Sequence, residues 1–182
     1  MTAELLTLEP LLDAVVAGVE AAGWELSGLQ KTSSTEFRGE WEGHTTRSAY
    51  LFFHSERWAS ASIEGYLDET DQGLRATLSL VADVRPAWEH ASVPDALERI
   101  GRLATAHLPK GYRTPVVLRL RLAEADDPAT EAELEARVKL RMPGAAITAG
   151  TSSVTALAES TVRAFERVLS DPDAEEVLDG LP

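Results

Sequence analysis

The chain has 182 residues, 44% apolar and 26% charged, which suffices for one substantial hydrophobic core and is short for two. Its 30 acidic and 17 basic side chains leave a net charge of −13, a field that repels phosphate backbones and anionic headgroups and argues against direct binding of nucleic acid or membrane. There are no cysteines, which excludes disulfides, thiolate metal sites and thiol catalysis.

Residues 1–8 carry Glu4 and no basic side chain, unlike a secretory signal, and no apolar run approaches the ~20 residues that span a bilayer. A cytoplasmic location is therefore expected. The first helix follows from Leu8, Leu12, Val15, Val19 and Ala22, with Leu11 widening the stripe. Thr7 is placed to cap it, Pro10 sits in the first turn, and Gly23 supplies the stop.

Four segments then alternate with period two: around Phe37 and Trp41, from Ala49 to Phe53, from Trp58 to Glu64, and from Ala76 to Val84. A weaker strand is expected near residues 24–30. The links between the four are short, which predicts an antiparallel meander. Ser92, Val93, Pro94 and Asp95 make a capping-box-like start for a second helix, whose stripe is Val93, Leu97, Ile100, Ala104 and Leu108. Val116, Leu118, Leu120 and Leu122 alternate as a further strand. Residues 130–142 are ambiguous: helical in composition at first, strand-like at Val138, Leu140 and Met142. The last helix carries Val154, Leu157, Thr161, Phe165, Val168 and Leu169 on its stripe. The expected fold is α+β: a mainly antiparallel twisted sheet packed by three helices, in the order α-β(3–5)-α-β-β-α. Residues 1–170 are expected as one domain, and 171–182, rich in carboxylates, as an acidic tail.

Chemical motifs are scarce. The stretch from Gly144 to Gly150 has the wrong glycine spacing and no following lysine for a phosphate loop. Residues 68–73 read as a solvated hairpin turn, since Ser79 stands where a calcium loop needs a bidentate glutamate. His44, His54, His90 and His107 share no spacing suited to zinc. No catalytic residue, cofactor or metal is therefore expected.

Two features remain. Tyr50 and Phe52 alternate with Leu51 and Phe53, so that strand is apolar on both faces and needs cover on both, from a helix or from a partner. Arg119 and Arg121 share one face of their strand; Arg137, Lys139 and Arg141 share one face of theirs. If the two strands are neighbours, five cations meet on one face. The carboxylates of Glu36, Glu40 and Glu42 could answer them within the fold or across a subunit interface.

The helix and turn of residues 11–24, the strands near Phe37, Leu51 and Ile63, the helix from Val93 to Leu108, the strands near Leu120 and Leu140 and the helix from Val154 to Leu169 together resemble, in element order, the YbjN-like proteins and the type III secretion chaperones. That resemblance implies a small, acidic, dimeric, non-enzymatic protein that holds a segment of another protein. The expected function is thus a protein-binding module, chaperone- or adaptor-like, acting as a homodimer, with Tyr50, Phe52, Arg119, Arg121, Lys139 and Arg141 as contacts. A basic partner, such as a nucleic-acid-binding protein, would complement the charge. The alternative is a small-molecule or lipid carrier, or an enzyme, with a START-like cavity under the C-terminal helix.

Overall fold

A computed structural model of the chain describes residues 7–38, 42–84, 93–110, 117–122, 132–179 and 181, with backbone alone at 34–38, 42–45, 93, 118–122 and 132–134. Helix α1 (Leu8–Ala21) forms where the apolar stripe places it, and Leu11, Val15 and Val19 are fully buried. Thr7 stands at its N-cap, but the hydroxyl makes no capping bond; the Thr7 carbonyl accepts from Leu11 N instead. At the other end Gly23 adopts φ 88°, which a side chain disfavours. This lets Gly23 N donate to Glu20 O and Trp24 N to Val19 O, the paired bonds of a Schellman stop.

The chain then enters β1 (Glu25–Arg38) and β2 (Glu42–His54), a 3-10 turn (Glu56–Trp58), β3 (Ala61–Thr70) and β4 (Gly73–Val84). After α2 (Val93–His107) come β5 (Val117–Leu122) and β6 (Ala132–Arg141). A short α3 (Gly144–Thr148) and the long α4 (Thr151–Leu169) close the main fold. The six strands form one antiparallel sheet in the order β1-β2-β3-β4-β6-β5. The α+β class and the predicted element order are both present.

Several local expectations change. The weaker strand and the Phe37 end of the next are a single long β1, whereas Glu42, expected in the same strand as Phe37, belongs to β2, and Trp41 lies outside the described residues. Trp58 lies in the 3-10 turn rather than in a strand, and is 2% exposed. Residues 132–141 resolve as strand: β6 sits between β4 and β5, where ladder pairing on both edges overrides helical composition. The five-residue α3 replaces part of the expected loop before α4. The proposed cap at Ser92 lies outside the described residues.

All the helices stack on one side of the sheet. Ala49, Leu51 and Phe53 of β2, Ile63 and Leu67 of β3, Leu78 and Leu80 of β4, and Val138 and Leu140 of β6 are buried there. They meet α1 and α4, whose Phe165, Val162 and Val154 are fully buried. Each large aliphatic or aromatic side chain so buried stabilises by about 1.5–3 kcal/mol. The two helices approach closely at Gly18, where an added Cβ would lie 2.4 Å from Thr155 O and 2.6 Å from Ala158 Cβ. Thr155 Oγ1 donates to Ala14 O, and Trp24 Nε1 to Glu166 Oε1, tying α4 to both ends of that crossing.

The acidic C-terminal stretch is a correction. Asp171 caps a 3-10 turn (Pro172–Ala174) by accepting from Asp173 N at 3.0 Å. Ala174, Val177 and Leu178 are buried, Leu178 bridges Val84, and Asp179 N donates to Asp83 O. The folded unit therefore extends past residue 170: the carboxylates face outward while three apolar side chains insert into the core. His107 Nε2 lies 2.6 Å from Asp171 Oδ2, and Arg99 pairs with Glu176, so this segment also anchors α2. The contact with His107, helped by the bond from Asp173 N, holds the Asp171 carboxyl below its usual value.

Gly18→Ala should force the helices apart at backbone atoms and lower the unfolding free energy by about 1–3 kcal/mol, measured by urea denaturation. Because the Asp171 pKa is depressed on folding, its contribution is complete above the unfolded value of about 3.9 and disappears as pH falls through the folded one. Wild type should therefore lose more stability than Asp171→Asn between pH 5 and pH 3, read from urea midpoints.

Candidate functional site

The side of the sheet away from the helices has no cover among the described residues. Strand alternation puts Tyr50 and Phe52 there, 40% and 41% exposed, while Leu51 and Phe53 are buried beneath the helices. Of the two covers weighed for the outer side of β2, a helix of the same chain is thus absent among the described elements. Tyr66 of β3 stands opposite Tyr50, with ring centroids 4.9 Å apart, and is 38% exposed. The three rings make an aromatic bank on β2 and β3.

Facing that bank across β4 is a cationic one. Arg137, Lys139 and Arg141 project from β6 on the same side, opposite Val81, Ser79 and Thr77. Between the banks runs a shallow groove of about 400 Å³, floored by Thr77, Ser79 and Gly65. The floor is low because those residues are small; the walls are high because both flanking strands carry long side chains.

Arg137 is held rather than free. Its guanidinium reaches across β4 to Glu64 of β3, with Nη2 donating to Oε1 at 3.1 Å and Nη1 pairing with Oε2. Nη2 also donates to Glu135 at 3.3 Å. Burial works against the charge, but the hydrogen bonds and charge of Glu64, then of Glu135, outweigh it and raise the arginine above its ordinary pKa. Its Nε is buried without a hydrogen-bond partner. The pair thus fixes the middle of the groove and leaves Lys139 and Arg141, both exposed, at the end near Thr77 and Tyr66. Beyond Tyr66, Ser48 Oγ donates at 3.0 Å to the buried Asp68 carboxylate.

Four of the six residues singled out from sequence, Tyr50, Phe52, Lys139 and Arg141, line this one groove. Arg119 and Arg121 hold β5 positions opposite Glu135 and Glu133, on the strand next to β6, so the two cation-bearing strands are neighbours. The anticipated acidic answer from Glu36, Glu40 and Glu42 is not the one Arg137 receives. Glu36 and Glu42 lie at the far end of β1 and β2, opposite His44 and Arg38, and Glu40 lies outside the described residues. Sequence reasoning missed Tyr66, Glu64 and Glu135. Alternation within β3 placed Glu64 on one face, but pairing across the β2–β3 link depends on a 3-10 turn, which no sequence rule registers.

Elsewhere the chemistry is sparse. Among the described residues no three His, Asp or Glu side chains are grouped to hold a metal. His54 is exposed, 3.7 Å from Glu25, and His90 lies outside the described residues. Residues 68–73 form the expected hairpin turn, with Thr70 Oγ1 accepting from Gln72 N. A surface dimple of about 10 Å³ opens beside α4 between Leu140, Arg141, Met142, Pro143, Leu157 and Thr161. No helix of the described residues is long and apolar enough to cross a membrane. Compared with known proteins, the chain matches no family model, no curated protein and no solved structure.

Glu64→Gln should leave the Arg137 charge short of its counter-ion and cost about 2 kcal/mol by chemical denaturation. Replacing both, as Glu64→Leu with Arg137→Met, should cost clearly less than the single change, because no buried charge is then stranded.

Proposed function

We propose that the chain is a non-enzymatic protein-binding module, chaperone- or adaptor-like, which works as a homodimer and engages other polypeptide through the open sheet face. The observation that carries this reading is the aromatic bank of Tyr50, Phe52 and Tyr66 on a sheet face that no described helix covers. Exposed aromatics flanked by charged side chains have the make-up of interface centres. The groove beside them is shallow and bordered by long flexible cations, which suits a polypeptide better than a small molecule enclosed on most sides. The resemblance in element order to the YbjN-like proteins and the type III secretion chaperones, read from the sequence, points the same way. The carrier alternative requires a hollow beneath α4, where Val154, Ala158, Val162 and Phe165 instead belong to one buried cluster with the sheet residues.

Light scattering on the purified chain should return a mass twice 19.7 kDa. Phe52→Ser should weaken self-association by about thirtyfold, as loss of an aromatic anchor does, with unchanged far-UV circular dichroism. A wild-type monomer across the accessible concentration range, with Tyr50, Phe52 and Tyr66 replaceable without effect on any association, would contradict the proposal.

A further inference from the structure

The open face carries opposite chemistry on the two sides of β4, in matched rows. The registers place Tyr50, Tyr66, Thr77 and Arg141 in one row across β2, β3, β4 and β6. The next row on this face is Phe52, Glu64, Ser79 and Lys139. In each, a small hydroxyl side chain on β4 is the centre. A ring or a carboxylate flanks it on β3 and a cation flanks it on β6, each one strand away, about 4.8 Å. Tyr66 is 38% exposed and Arg141 is exposed as well, so both are within reach of another molecule.

Such a face complements itself. A two-fold axis laid along β4, above Thr77 and Ser79, carries β3 of one copy over β6 of the other. Tyr66 then meets Arg141 of the second copy, while Arg141 meets the second copy's Tyr66. A guanidinium over an aromatic face is attracted by the ring quadrupole, more strongly once water is excluded. Tyr50, with its ring centroid 4.9 Å from that of Tyr66, widens the platform. Sheets packed face to face keep their strands within about 30° of each other, as an axis along β4 requires. Five strands about 4.8 Å apart and the seven rungs of the β2–β3 ladder give the face a plane of roughly 500 Å², on the scale of the about 800 Å² of accessible surface each partner brings to a standard interface. A helix, about 10–12 Å across, is too wide for a floor one strand across.

We infer that the open face binds the same face of a second copy of this chain, with the two-fold axis along β4 and Tyr66 stacked against Arg141 across it. The contact is isologous, so the ring–cation pair occurs twice and a change to either residue counts twice. This geometry rests on the protein-binding reading of the same face and specifies its partner.

Two separate variants of the full chain test it. Tyr66→Arg sets like charges against each other across the axis; Arg141→Glu sets a carboxylate against the ring. Sedimentation velocity should find each at least about tenfold weaker in self-association than wild type, with circular dichroism unchanged. An equimolar mixture of the two should regain the dimer, because the introduced arginine then meets the introduced glutamate and the native ring meets the native Arg141. The chain has no cysteine, so a single one reports where the axis lies. Thr77→Cys should be joined to its copy by a short bis-maleimide; Thr32→Cys, on the open face of β1 three strands away, should not. A dimer that persists in both charge variants overturns the pairing. So does a mixture that stays monomeric while both variants remain folded, or cross-linking of Thr32→Cys without that of Thr77→Cys. If Phe52→Ser weakens an association that neither charge variant touches, the pairing about β4 fails and the protein-binding reading survives. If Phe52→Ser changes no association either, both fail.

Discussion

One constraint shapes this molecule: every described helix lies on the same side of a six-stranded sheet. The apolar stripes of α1 and α4 bury the helix-side residues of β2, β3, β4 and β6, and the two helices approach closely at Gly18. Nothing remains among the described elements to bury the other face. Side chains that point that way must be wetted, paired with one another, or covered by another molecule. The described face uses the first two and leaves three rings without cover. Thr77 is half-buried on the groove floor, Arg137 is locked to Glu64, and Tyr50, Phe52 and Tyr66 remain partly bare.

The Arg137–Glu64 pair shows how the face is organised. It spans β4, so it couples the aromatic strands to the cationic one and holds the groove at a fixed width. Removing two charges from bulk water is costly, and such pairs are weak evidence of stability in themselves. Here the pair has a positional role: it occupies the middle of the face with a planar bridge, while Lys139 and Arg141 stand toward one end.

Much of this was legible in the sequence, because the signals were local. The 3.6-residue stripes of α1, α2 and α4 and the alternation in β2 and β4 each follow from side-chain burial over a few turns or rungs. Tyr50 and Phe52 were identifiable for the same reason, since apolar residues at every position of a strand imply two faces needing cover. What failed was non-local. β6 inserts between β4 and β5 through pairing that no window of sequence contains, which is why residues 130–142 were ambiguous. The C-terminal segment misled through composition: its carboxylates suggested a solvated tail, while Ala174, Val177 and Leu178, spaced for a single turn, docked on Val84. Tyr66 and Glu64 joined the site through a register set by the irregular turn at Trp58.

The central claim is that the aromatic face is covered by polypeptide in the working state. Hydroxyl-radical footprinting across a dilution series measures this directly at Tyr50, Phe52 and Tyr66. The account predicts that these rings are shielded at high protein concentration and become reactive together on dilution, while the exposed side chains of α1 react equally throughout. Rings that react at the same rate at every concentration, and remain as reactive when other polypeptide is added, would contradict it.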